Sequence, residues 1–190
     1  MKELVELVPF SNSVYITELN DYTYCIPEII NLMKTTPSSV ISNMGGWQSP
    51  SYNYDSHEFI KSLCDEVREY VLSIYNSMHV TGNAELCNYW INVNTKYNYN
   101  ISHRHGGSYY SAVVYLKTPK NCGRLIFQRP DDAHSWIEYS EYVDGNWGSY
   151  WVDPLPNRLI IFPSYIPHYV EQNLTEDLDD SRISVAFNFR

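Results

Sequence analysis

The amino-acid sequence predicts a mainly β fold with flanking helices: a sandwich or barrel-like jelly roll with N-terminal helices packed on one sheet. Three observations carry this. The chain holds 18 Tyr, 5 Trp and 6 Phe among 190 residues, and aromatic side chains favour strands and half-buried surfaces. From Glu85 onward, short runs rich in Val, Ile, Tyr and Phe recur between turn residues, the pattern of a sandwich or jelly roll. Helix-forming segments precede those strands rather than alternating with them, which sets helices against one side of a sheet.

Taken in order, Leu4–Pro9 and Val14–Glu18 read as short strands. Ile26–Lys34 reads as a helix with Pro27 in its first turn, where proline is tolerated, and Pro37 beyond its end. A longer helix is expected over Ser56–Met78. Asp55-Ser56-His57-Glu58 offers it a capping box, with Asp55 accepting and Glu58 reaching back. Ile60, Leu63, Cys64, Val67, Val71 and Ile74 follow the three-four spacing of one helical face, made to lie along a sheet. Expected strands follow at Leu86–Asn94, Tyr109–Leu116, Arg124–Phe127, Trp136–Tyr139, Arg158–Phe162, Tyr169–Glu171 and Ile183–Phe189. Within the first of these, Trp90, Asn92 and Asn94 share a face. No repeat, linker or low-complexity run interrupts the chain. A single domain over 1–190 is expected, with an α/β part over 1–80 and a strand core over 85–190.

Composition bounds the function. Hydrophobic residues make up 44% and charged residues 18%, a balance suited to a packed core rather than disorder. The net charge of −9 and the lack of a basic stripe disfavour nucleic acid and anionic membrane surfaces as partners. Cys25, Cys64, Cys87 and Cys122 form no CxxC pair and read as reduced, mostly buried thiols. No stretch approaches the roughly 20 apolar residues of a membrane span. A soluble, cytoplasmic protein is expected.

Six histidines are present: His57, His79, His103, His105, His134 and His168. His57 and His79 sit at the two ends of the amphipathic helix, and His134 lies in a polar turn, so all three read as ordinary solvated or core residues. His103 and His105 differ. In an extended backbone, residues two apart point to the same face, about 7 Å apart along the chain, and two imidazoles so placed can converge on one cation. His168 follows an apolar strand and a Pro-punctuated turn, Ile161-Phe162-Pro163-Ser164-Tyr165-Ile166-Pro167, which can carry a distant ligand onto the pair. Three imidazoles leave positions open on an octahedral ion and suit iron, zinc, copper or nickel. Arg182 and Ser184 share one face of the last strand, where a guanidinium and a hydroxyl can grip a carboxylate. The alternative is an ion pair between Arg182 and the acidic run Glu176, Asp177, Asp179 and Asp180.

The order HxH, strand, distal histidine, RxS resembles the 2-oxoglutarate and iron(II)-dependent oxygenase superfamily, most of all a group of small oxygenases of bacteria and tailed phages. The likeness runs from Asn43-Met44-Gly45-Gly46-Trp47-Gln48-Ser49 through Tyr89-Trp90-Ile91-Asn92 and the stretch His103-Arg104-His105-Gly106-Gly107-Ser108-Tyr109-Tyr110-Ser111-Ala112-Val113-Val114-Tyr115-Leu116. It continues through Ile161-Phe162-Pro163-Ser164 and His168-Tyr169-Val170 to Arg182-Ile183-Ser184-Val185-Ala186-Phe187-Asn188. The resemblance implies a double-stranded β-helix of cupin-like type that hydroxylates a substrate with release of succinate and CO2. It implies iron(II) at His103, His105 and His168, and no catalytic side chain beyond these ligands. Arg182 and Ser184 would hold the far carboxylate of the cosubstrate 2-oxoglutarate. Tyr115 would donate to that carboxylate, Val113 would line the pocket, and Asn92 would contact the cosubstrate or order water.

The sequence departs from the superfamily at the second ligand, where a carboxylate is usual and His105 stands. Exchanging a carboxylate for a neutral imidazole raises the site's charge by one unit and favours anionic ligands. Gly106 and Ala112 replace a proline and a glycine common in the group, and an acidic loop over 174–181 lengthens the path from His168 to Arg182. Two other functions fit the same residues: a three-histidine cupin dioxygenase that ignores 2-oxoglutarate, and a non-enzymatic jelly-roll binding module around a structural metal. A small molecule, protein or peptide is the expected substrate, with Tyr97, Tyr99, Tyr109 and Tyr110 near the expected mouth either shaping recognition or forming ordinary strand surface. The oligomeric state is left open, a homodimer included.

Overall fold

Two antiparallel sheets lie face to face, with both helices against the outer side of the larger one. The computed structural model describes residues 12–131, 136–143 and 146–190. The expected strand at Leu4–Pro9 and His134 fall outside these residues. The strands are β1 (Tyr15–Glu18), β2 (Asn43–Met44), β3 (Trp47–Gln48), β4 (Leu86–Asn94), β5 (Tyr99–His103), β6 (Tyr110–Lys117), β7 (Leu125–Gln128), β8 (Ser149–Val152), β9 (Arg158–Pro163), β10 (His168–Val170) and β11 (Arg182–Phe189). The helices are α1 (Ile26–Thr35) and α2 (Lys61–Ser77). The six-stranded sheet runs β1-β9-β6-β11-β4-β3 and the five-stranded sheet β2-β5-β10-β7-β8, the two-layered wrap of a double-stranded β-helix.

Strand parity separates core from cavity. All eight residues of β11 are buried, yet successive side chains leave a strand on opposite faces. Ile183, Val185, Phe187 and Phe189 join the core under the helices. Arg182, Ser184 and Ala186 instead line a cavity between the sheets. On β4, Tyr89, Ile91 and Val93 likewise enter the helix-side core, and Trp90 and Asn92 face the cavity. The helix face read from the sequence is the packing face: Ile60, Leu63, Cys64, Val67, Val71 and Ile74 are all buried. Fully burying an aliphatic side chain of this size contributes about 1.5–3 kcal/mol.

Three expectations need correction. The long helix begins at Lys61, after two 3-10 turns at Tyr54–Ser56 and Glu58–Ile60. No side chain caps it; the capping box that forms closes the first of those 3-10 turns instead, with the Asn53 side chain accepting from Asp55 N–H and Ser56 Oγ accepting from Asn53 N–H. The reason is His57, held in an extended conformation with its ring edge-on to Tyr52 and its Nδ1 2.8 Å from the Tyr89 hydroxyl. That tertiary anchor draws the chain off the helical path. Trp136–Tyr139 forms no strand; Ser149–Val152 pairs with β7 instead. Finally, β2 and β3, which were not expected as strands, pair at edges of the two sheets, while the expected strand β1 pairs with β9.

The remaining local readings agree. Pro27 lies in the first turn of α1, and Thr36 is extended just ahead of Pro37, as the residue before a proline prefers. All four cysteines are free, with Cys25, Cys64 and Cys122 buried. Among the described residues no helix is long and apolar enough to cross a membrane.

Candidate metal centre

The three histidines reach one another through strand register. On the β5–β10 pair His168 faces His103, while Val170 faces Asn100, so three steps on β5 match two on β10. This β-bulge bends the strand and re-aims its side chains, and both Asn100 and His103 line the cavity. His105 lies just past the strand, its backbone N–H donating to the Ser164 carbonyl at 3.0 Å. The ring centroids are 4.4 Å apart for His103 and His168, 4.9 Å for His105 and His168, and 5.1 Å for His103 and His105. One ligand nitrogen from each lies within 4.8 Å of the others.

Hydrogen bonds decide which nitrogen faces inward. His103 Nδ1 donates to the Ile101 carbonyl at 2.8 Å, and His168 Nδ1 to the Ile166 carbonyl at 2.9 Å. A carbonyl only accepts, so Nδ1 carries the hydrogen and Nε2 keeps its lone pair, the state in which histidine ligates a metal. His105 Nε2 is buried without any partner in the protein. Burial and the neighbouring imidazoles hold His105 down at about 4 and His168 at about 3; burial also lowers His103. The cluster therefore presents neutral rings at physiological pH, fitted to a cation.

At the other end of the cavity, Arg182 is 1% exposed. Its Nη1 donates to the Cys122 and Glu171 carbonyls, and its Nη2 has no partner. The acidic run does not neutralise it. Asp180 pairs with Lys117 at 2.7 Å, and Glu171 sends its carboxylate to Arg124. Arg182 takes part in no ion pair among the described residues. Beside it the Tyr115 hydroxyl is also buried and unpartnered, and burial pushes it up to about 12, so it stays protonated and can donate. Isolated buried charges cost several kcal/mol. A guanidinium, a phenol and the Ser184 hydroxyl around one cavity thus suit an anionic carboxylate, with the three lone pairs suited to a cation.

Of the other residues singled out from sequence, Asn92 and Val113 line the same cavity. Asn92 Oδ1 accepts from Asn43 Nδ2 at 3.3 Å. The four tyrosines do not line it. Tyr97, Tyr99 and Tyr109 are exposed, while Tyr110 is buried in the helix-side core with its hydroxyl on Met78 Sδ. Parity sends Tyr110 to the face opposite Ser111. His57 is held by Tyr89, and His79 lies just past α2 at φ 55°; neither lines the cavity. Sequence reasoning missed Phe162, Ser42 and Asn100, which line the cavity, and Ser111 and Asn188, which touch His105. Parity along β11 already placed Asn188 on the Arg182 face; the bulge that turns Asn100 inward left no local signal.

A family model described as "Putative 2OG-Fe(II) oxygenase" matches residues 88–188, more than half of the chain. No curated protein matches by sequence. Solved structures share the fold. A Pseudomonas putida prolyl-4-hydroxylase is 16% identical with a TM-score of 0.66, covering 95% of this chain and 93% of its own. A viral collagen prolyl hydroxylase from Paramecium Bursaria Chlorella virus-1, in a 2OG complex, is 13% identical with a TM-score of 0.60, covering 93% and 96%. HygX from Streptomyces hygroscopicus, with nickel and 2-oxoglutarate bound, is 12% identical with a TM-score of 0.61, covering 94% and 82%.

Proposed function

The chain belongs to the 2OG-Fe(II) oxygenase family, and we propose that within it the protein hydroxylates a small-molecule, protein or peptide substrate, releasing succinate and CO2. His103, His105 and His168 hold the iron through Nε2, and Arg182, Tyr115 and Ser184 receive the far carboxylate of 2-oxoglutarate. When bound, iron and 2-oxoglutarate supply the oxidising chemistry, with dioxygen as oxidant and one oxygen atom going to succinate and one to substrate.

The chain's own residues bind, orient and exclude water. Arg182 offers a guanidinium without a counter-ion, the Tyr115 hydroxyl offers a proton donor, and Phe162, Val113 and Ala186 contribute apolar lining to the same cavity. No side chain is required as a general base.

The single observation that carries this reading is the buried Arg182, unpaired by any carboxylate in the described chain and sharing a cavity with the three histidines. It favours a 2-oxoglutarate enzyme over a three-histidine dioxygenase that ignores the cosubstrate, because the latter leaves a buried cation uncompensated. The purified protein, incubated aerobically with iron(II), ascorbate and 2-oxoglutarate, is expected to form succinate slowly even without substrate. If no succinate appears, with or without a broad substrate screen, the reading fails.

A further inference from the structure

We propose that Asn188, backed by Asn88 and Ser111, is the positioning residue that makes His105 a metal ligand, accepting a hydrogen bond from its Nδ1–H and leaving the Nε2 lone pair aimed into the cavity. This rests on the reading that the three histidines hold the metal.

His103 and His168 are each fixed by the carbonyl two residues earlier in the chain. His105 is held differently, by side chains of the opposite sheet. Its Nδ1 lies 2.8 Å from Asn188 Oδ1 and 2.7 Å from Ser111 Oγ. The register of β11 sets Asn188 between Asn88 on β4 and Ser111 on β6. Asn188 Nδ2 donates to Asn88 Oδ1 at 3.0 Å, which turns its oxygen toward the imidazole, and Ser111 Oγ lies 2.9 Å from that same oxygen and 2.8 Å from Ser164 Oγ. Asn188 and Ser111 are both buried.

With the hydrogen on Nδ1, every buried side-chain polar atom of this cluster has a partner except Nε2, whose lone pair a cation completes. Rotating both amides would make Asn188 donate to Nδ1, put the hydrogen on Nε2, and leave a buried donor aimed at the other two imidazoles. A buried donor left unsatisfied forfeits its hydration with nothing in return. An amide oxygen also fixes the ring without adding charge, so His105 remains a neutral ligand where the superfamily usually has a carboxylate.

The test is cobalt(II) binding by the full-length protein, with a competing chelator for affinity and the visible cobalt bands for coordination. Asn188→Leu is expected to weaken binding 10–100-fold, the usual effect of losing a ligand's outer partner. Asn188→Asp, an acceptor-only side chain of the same shape, is expected to bind at least as tightly as wild type. The proposal is overturned if Asn188→Leu binds normally, or if Asn188→Asp weakens binding as much as Asn188→Leu. His103→Ala and His168→Ala separate the two levels: if these keep wild-type affinity, the three-histidine reading fails. If they lose cobalt while both Asn188 variants keep it, only the present inference fails. Should the leucine variant not fold, long-range proton–nitrogen NMR of the metal-free wild type reads the His105 tautomer directly. A hydrogen on Nδ1 supports the proposal and one on Nε2 overturns it.

Discussion

His103 and His168 are cross-strand partners, opposite each other on the β5–β10 pair with their rings 4.4 Å apart. Directly opposed residues on one sheet face place their Cβ atoms about 4.5–5.5 Å apart, so the backbone ladder itself brings together two side chains far separated in sequence. Their Nδ1 atoms are tied to the Ile101 and Ile166 backbone carbonyls, which leaves little freedom for either ring to turn away.

Removing one member of this pair should remove the metal. His168→Ala is expected to lower iron(II) affinity by more than the roughly 10–100-fold typical of losing an outer partner, with circular dichroism unchanged. Metal per chain after dialysis against a weak chelator measures it. Stoichiometric metal in the variant would break the assignment.

Arg182→Met should cost 2-oxoglutarate binding and nothing in metal binding. Truncating one partner of a buried charge pair costs about 2–5 kcal/mol or more, at least a 30-fold loss, read by calorimetric titration of the metal-loaded protein. Tyr115→Phe removes a hydroxyl that has no protein partner and should weaken 2-oxoglutarate about 10-fold or more, as hydrogen bonds to charged groups are worth about 1.5–3 kcal/mol.

Gly123 is required by its surroundings. It sits at φ +87°, and a Cβ there would lie 2.9 Å from Arg182 Nη1 and against the Glu171 carbonyl. Gly123→Ala is expected to destabilise the fold by about 1–3 kcal/mol through left-handed backbone strain and to weaken 2-oxoglutarate by displacing Arg182. Urea unfolding and ligand titration report the two effects separately. Full stability with normal binding would contradict the geometry.

The pair that flanks this cradle should be visible in acid. Arg124 donates from Nε and Nη2 to the Glu171 carboxylate at 2.9 Å each, and these hydrogen bonds hold Glu171 below the ordinary carboxylate range. A carboxyl depressed in the folded state contributes stability above its unfolded value, near 4.3 for glutamate, and loses it as the pH falls through the lower folded value. Glu171→Gln should therefore be slightly less stable than wild type at pH 7, with the gap closing on acidification. The pair is partly exposed, so the gap is small. A difference that widened on acidification would contradict the assignment.

Several features stood outside local pattern. The strand placed at Trp136–Tyr139 reflects β-favouring side chains, but pairing with β7 fell to Ser149–Val152, a choice made by which segment the chain can bring alongside Leu125–Gln128. The helix start moved because His57 docks on Tyr52 and Tyr89, residues no local capping rule consults. Tyr110 lies only five residues beyond His105 in sequence, yet strand parity turns it into the core beneath the helices.

By itself the sequence determined the period-two faces of β4 and β11, the packing face of α2, and the residue types that can ligate a cation and receive a carboxylate. Those are properties of neighbours along the chain, set by how side chains leave a strand or helix. Tertiary structure alone decided that His103 meets His168, that a bulge turns Asn100 inward, and that Arg182 is buried away from the acidic run beside it in sequence. Register and desolvation depend on contacts between distant segments, and no local spacing encodes them.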